Sequence, residues 1–116
     1  MTNTEAIYQM LGHLIIQGER CVVNNLCKYQ HKGKKCAIGA LIPEGKYQTL
    51  YDAKSYPPER LQEEGVIPKE LNIDMLLEAQ KIHDPFEGGS KEEWYAHVIK
   101  GFKELLKEYG EESQCL

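Results

Sequence analysis

Apolar side chains recur at helical steps in three stretches of the chain, and the last run is the strongest. Trp94, Val98, Phe102, Leu105 and Tyr109 repeat at close to the helical period. Ser90-Lys91-Glu92-Glu93 stands before them as a capping box, and Gly110 follows as a stop. The first stretch has the same design: Thr2-Asn3-Thr4-Glu5 matches a capping box, Ile7, Met10, Leu11, Leu14 and Ile15 form one stripe, and Gly18 ends it. In the middle, Ile73, Leu76, Leu77, Gln80 and Ile82 predict a helix capped by Asn72 or Asp74 and running to His83-Asp84, where Pro85 forbids continuation.

Between the first two stretches the pattern changes. Cys21-Val22-Val23 and Leu26 to Gln30 have strand character, separated by a turn or break at Asn24-Asn25. Lys32-Gly33 is a second turn, predicted to bring Lys35-Cys36-Ala37-Ile38 back beside Leu26 to Gln30 as a β-hairpin. Ala37 to Ile42 fits either a strand or a helix, and a short helix is the preferred reading. Tyr47, Leu50, Tyr51 and Tyr56 lie in a long connection with one helical turn, where the tyrosines are expected to line a groove. Pro58 to Glu64 reads as a short helix opened by proline and closed by Gly65.

These elements define a small α+β domain, helix-rich, with one β-hairpin packed against about three main helices. Its 116 residues fit a single globular domain over 1–116, with 111–116 as a frayed tail. Apolar residues at 41% and charged residues at 28% exclude wholesale disorder. No apolar run approaches the roughly 20 residues that cross a bilayer, and the start of the chain lacks the charged and apolar regions of a signal peptide. The expectation is a cytoplasmic protein with no membrane partner, whose Cys21, Cys27, Cys36 and Cys115 are thiols or metal ligands rather than disulfides.

Charge singles out one segment. Residues 20–43 contain Arg20, Lys28, Lys32, Lys34 and Lys35 and no acid, so the formal charge of −4 divides into +5 there and −9 elsewhere. A net acidic body repels duplex nucleic acid, whereas a local cationic rim suits a small anionic ligand. Arginine pairs bidentately with phosphate, lysines add charge and tyrosine stacks on a base, which makes Arg20, Tyr29, Lys32, Lys34 and Lys35 the candidate ligand-binding set. Both G-x-x-x-x-G-K-[ST] and G-x-G-x-x-G are absent.

Two other chemistries are spelled by the same stretch. Cys21, Cys27, His31 and Cys36 form a Cys₃His set with the donor types of tetrahedral zinc, but their spacing lacks the tight C-x₂₋₄-C pairs of compact zinc sites. A catalytic reading makes Cys36, beside Lys34 and Lys35, a nucleophile with a lowered pKa, with His83 as its base and Asp84 or another acid orienting it, although no family-type sequence surrounds Cys36. Buried free thiols are the plainer account of these cysteines. His13 and His97 fall inside predicted helices without ligand-spaced partners, and the Trp94-Phe102-Tyr109 stripe is core unless it is an oligomer interface.

Cys27-Lys28-Tyr29, Lys35-Cys-Ala-Ile-Gly-Ala-Leu-Ile-Pro43, Ala79-Gln-Lys-Ile-His-Asp84 and a last helix opening near Trp94 together resemble a group of small proteins encoded by phages and prophages. The resemblance spans most of the chain. In that group a Cys-x-Tyr-Arg pattern is common, and Gln30 stands here in place of the arginine. The resemblance implies phage origin and action in the host cytoplasm, where such accessory proteins often counter host defence by binding a defence protein or sequestering its nucleotide signal. The sequence therefore favours a non-enzymatic binding protein without cofactors, ahead of a cysteine-dependent hydrolase or transferase using Cys36 and His83 and of a zinc-stabilised interaction module. A homo-oligomer is left open.

Overall fold

The computed structural model describes residues 1–18, 22–23, 26–83 and 90–110, with the side chains of Val22, Val23, Leu26, Cys27 and His83 left aside. Expectations for Arg20, Cys21, the Asn24-Asn25 turn, Asp84-Pro85 and the 111–116 tail lie outside the described residues. The fold is α+β and helix-rich. In chain order it runs α1 (Asn3–Gln17), β1 (Val22–Val23), β2 (Leu26–Cys27), β3 (Gln30–His31), β4 (Lys34–Lys35), a 3₁₀ turn (Gly39–Leu41), α2 (Leu50–Ala53), α3 (Pro58–Glu63), α4 (Ile73–His83) and α5 (Lys91–Tyr109).

Local chemistry sets the helix ends. Thr2 Oγ1 accepts from the Glu5 N–H at 3.1 Å while Glu5 Oε1 accepts from the Thr2 N–H at 2.8 Å, so two otherwise orphaned donors of α1 are satisfied reciprocally. At its other end Gly18, with φ of 76°, donates to the Leu14 carbonyl. Asn72 is the cap of α4, its Oδ1 accepting from the N–H groups of Asp74 and Met75. Ser90 Oγ accepts from the Glu93 N–H at 3.2 Å and opens α5.

The core lies where α5 packs against both α1 and α4. Trp94, Val98, Phe102 and Leu105 are buried along α5, which places the predicted aromatic stripe in the interior apart from the half-buried Tyr109. Full burial of Phe102 alone contributes about 2–3 kcal/mol. On α1 and α4 the buried stripe is turned from the expected one. Ala6, Ile7, Met10 and Leu14 face inward while Ile15 is 37% exposed; Met75, Leu76 and Ala79 face inward while Leu77 is 38% exposed.

Strand pairing is shorter than the sequence suggests and comprises two antiparallel pairs. Val22 and Val23 pair with Cys27 and Leu26, while Gln30 and His31 pair with Lys35 and Lys34. The Lys32-Gly33 turn is as predicted. Both residues have positive φ, 49° and 83°, the pattern of a type I′ turn that matches strand twist. After Lys35 the chain leaves the ladder and drops into the core: residues 36–42 are buried and carry the 3₁₀ turn, in line with the short-helix reading of Ala37 to Ile42. Tyr51 and Tyr56 also belong to the core, at 5% and 6% exposure, so the groove expected from the three tyrosines is not formed by them.

Candidate functional site

A buried, irregular segment must still pair its backbone N–H and C=O groups. In residues 36–42 that task falls in part to side-chain amides from the surrounding helices. Gln9 Nε2 of α1 donates to the Ala40 carbonyl at 3.0 Å, and Gln80 Oε1 of α4 accepts from the Ile38 N–H at 3.2 Å. Gln17, at the end of α1, pairs with Lys35 on both sides: its Nε2 donates to the Lys35 carbonyl at 2.9 Å and its Oε1 accepts from the Lys35 N–H at 2.7 Å. One amide thus extends the β4 edge as a further strand would.

The Cys36-to-Gly39 turn closes against Tyr29. The Cys36 N–H donates to the Tyr29 carbonyl at 3.1 Å, and Cys36 Sγ accepts from the Gly39 N–H at 3.2 Å. Gly39 lies so close that a Cβ built on it would sit 1.9 Å from the Tyr29 oxygen. These contacts give the Lys-Cys-Ala-Ile-Gly run a packing explanation. Tyr29 is anchored at two further points: its N–H donates to Asp52 Oδ1 at 2.8 Å and its hydroxyl donates to the Tyr56 carbonyl, the residue being 9% exposed. Asp52 Oδ2 also accepts from the Tyr47 hydroxyl and, at 3.4 Å, from the Gln30 N–H.

Each candidate residue can now be placed. Lys32 and Lys34 are exposed at the hairpin tip with His31, and Lys28 is half-buried nearby in sequence. Lys35 stands at the base, its Nζ 3.5 Å from Glu44 Oε1. Arg20 is outside the described residues. Tyr29 departs from its expected stacking role, because its ring is packed into the core and its hydroxyl is committed to Tyr56. Cys36 is fully buried, and its sulfur faces a backbone N–H rather than solvent, a poor position for the expected nucleophile. The His83 side chain and Asp84, its proposed companions, are outside the described residues.

The Cys₃His set is only half visible, since Cys21 and the Cys27 side chain are not described. Of the two visible members, His31 is exposed on the hairpin while Cys36 is interior. Among the described residues no three His, Cys, Asp or Glu side chains gather as a metal site. His13 and His97 have structural contacts: His13 Nε2 is 2.8 Å from Gln17 Oε1, and His97 Nε2 donates to the Ile82 carbonyl at 2.7 Å, satisfying one of the last acceptors of α4.

Sequence reasoning missed Asp52 and Gln17 altogether, and it missed the hydrogen bonds that Gln80 and Tyr47 make to the hairpin and the 36–42 segment. Asp52 sits in a four-residue helix with no motif around it, and glutamines carry no spacing that announces a backbone partner. Away from the hairpin, a shallow groove of about 270 Å³ runs between α4 and α5, lined by Glu78, Lys81, Ile82, Glu104 and Glu108. Partial burial raises the hydroxyl of Tyr109, the residue after Glu108, above its ordinary pKa, and the Glu108, Glu78 and Asp74 carboxylates push in the same direction. No helix among the described residues is long and apolar enough to cross a membrane. No protein-family model matches the chain, nor does any curated protein or solved structure.

Proposed function

We propose that the protein is a non-enzymatic binding protein that presents its cationic hairpin tip to an acidic surface of a host protein. Lys32 and Lys34 are the central contacts, with Lys28 and His31 flanking them and Lys35 at the base. The observation that carries this reading is the backbone of Lys32. It has a φ of 49° at an exposed turn position where asparagine or glycine is favoured, so a lysine is held there against local preference. Such outliers motivate a functional hypothesis.

Exposure of Lys32 and Lys34 at the tip suits contact with an acidic protein surface, whereas a nucleotide is usually bound in a concave site. The resemblance to phage-encoded proteins suggests a setting, that of a counter-defence factor acting on a host defence protein. Burial of Cys36 weighs against the hydrolase or transferase alternative.

Native mass spectrometry of the protein purified from host cells tests the proposal. The expected result is a protein partner that is lost in the Lys32→Glu, Lys34→Glu double variant while the thermal midpoint is unchanged. Retention of the partner by that variant would sink the reading. A retained mass of nucleotide size, lost in the same variant, would replace the protein partner with a nucleotide-like anion.

A further inference from the structure

We infer that the outer face of α1 is a self-association surface on which a second copy of the chain packs antiparallel, with Gly12 at the point of closest approach. Glu5, Tyr8, Gly12, Ile15 and Ile16 share one face of the helix, opposite the buried Ile7, Met10 and Leu14. Three of these side chains are large, apolar and exposed: Tyr8 at 53%, Ile15 at 37% and Ile16 at 87%. Scattered exposed apolar residues are ordinary, but a contiguous patch on one helix face is an interaction feature.

Gly12 lies at the centre of that patch. Among ordinary residues only proline is a poorer helix former, and a Cβ added at Gly12 would meet nothing within 4 Å, so packing within the molecule gives no reason for glycine there. What glycine does allow is close approach of another backbone.

Charge selects the occupant. The one charged residue of this face, Glu5, lies near the N-terminal end of α1, and Asn3–Gln17 contains no lysine or arginine. At the other end the exposed Lys91 lies beside α1, its Nζ 2.9 Å from where a Gly18 Cβ would be. Antiparallel two-fold packing brings each Glu5 towards the second copy's Lys91 and opposes the helix dipoles. Parallel packing would set Glu5 against Glu5. A lipid surface fits less well, because surface-bound helices carry lysine and arginine along their polar face. A 15-residue helix is only about 22 Å long. Its contact falls short of the roughly 800 Å² per partner of a stable complex, so the dimer is weak and concentration-dependent.

Sedimentation equilibrium of the full chain from about 10 µM to about 1 mM, the span of weak association, tests the inference. A monomer–dimer equilibrium is expected. Ile16→Glu should abolish it without moving the thermal midpoint, since that side chain is 87% exposed. Gly12→Ala should raise the thermal midpoint through helix propensity yet weaken the dimer about tenfold, two effects of opposite sign. Lys91→Glu should weaken the dimer. Monomer throughout the range overturns the inference, as does a dimer indifferent to Ile16→Glu and Gly12→Ala. Flotation with anionic vesicles that depends on Ile16, in place of a dimer, would assign the face to lipid.

Discussion

Asp52 Oδ1 accepts the backbone N–H of Tyr29 at 2.8 Å, so a four-residue helix fixes the start of a hairpin 23 positions earlier in the chain. Hydrogen bonds to a charged group contribute about 1.5–3 kcal/mol, and removing the acceptor strands its donors. Asp52→Ala is therefore expected to lower stability by about 2–3 kcal/mol, and Asp52→Asn by less, since one oxygen remains. Urea unfolding measures the loss, and faster hydrogen exchange at Tyr29 and Gln30 localises it. Unchanged exchange at both amides would refute the anchoring role.

The approach of Gly39 to Tyr29 leaves no room for a side chain. Gly39→Ala should cost about 3 kcal/mol, at the upper end of overpacking effects, because the obstacle is a backbone carbonyl and cannot rotate away. Cys36→Ala, which removes a sulfur and one weak acceptor, should cost about 1–2 kcal/mol and leave partner binding intact. Peptide mapping after treatment of the native protein with a thiol reagent should find Cys36 unmodified. Rapid native-state labelling would contradict its burial.

Lys32→Asn gives the turn a residue suited to positive φ and should stabilise the protein by about 1 kcal/mol while weakening partner binding. Ser55 provides the control. It too has a positive φ, 50°, and Ser55→Gly should stabilise without any effect on binding. Thermal unfolding paired with a binding assay separates the two positions; equal effects on binding would remove the special status of Lys32.

At the other end of the chain, the backbone N–H of Thr2, assisted by its hydroxyl, holds the Glu5 carboxyl below its ordinary value of 4.5. A depressed folded-state pKa means that the contribution of Glu5 is fully present above that ordinary value and is lost as pH falls through the folded one. The side chain's NMR titration should show the lower midpoint, with exchange of the first-turn amides rising over the same interval. Glu5→Gln should remove this pH dependence from α1. A midpoint at the ordinary value would rule out the reciprocal cap.

Most of the helical scaffold was legible because its signals are local. Thr2, Asn72 and Ser90 are read from their own neighbours, and the stripe of Val98 and Phe102 follows from period alone. The strands were less legible. After Lys35, pattern continues through Cys36, Ala37 and Ile38, yet those residues are wanted in the interior, and amides from Gln9 and Gln80 make an irregular path there feasible. The candidate site was read as charge at Lys32 and Lys34, which solvent exposure preserves, whereas Tyr29 and Cys36 changed meaning once burial was known. Periodicity also assigned Ile15 to the interior, because the helical period alone does not distinguish an inward stripe from its neighbour.

The base of the hairpin is gripped through its backbone. Asp52 and Gln17 grip backbone atoms of Tyr29, Gln30 and Lys35, and none of these bonds uses a side chain between His31 and Lys34. These bonds therefore do not depend on which side chain stands at position 32, provided Gly33 or an equivalent keeps the turn. A change of side chain at Lys32 would alter what the tip presents while leaving the four backbone bonds to Asp52 and Gln17 in place.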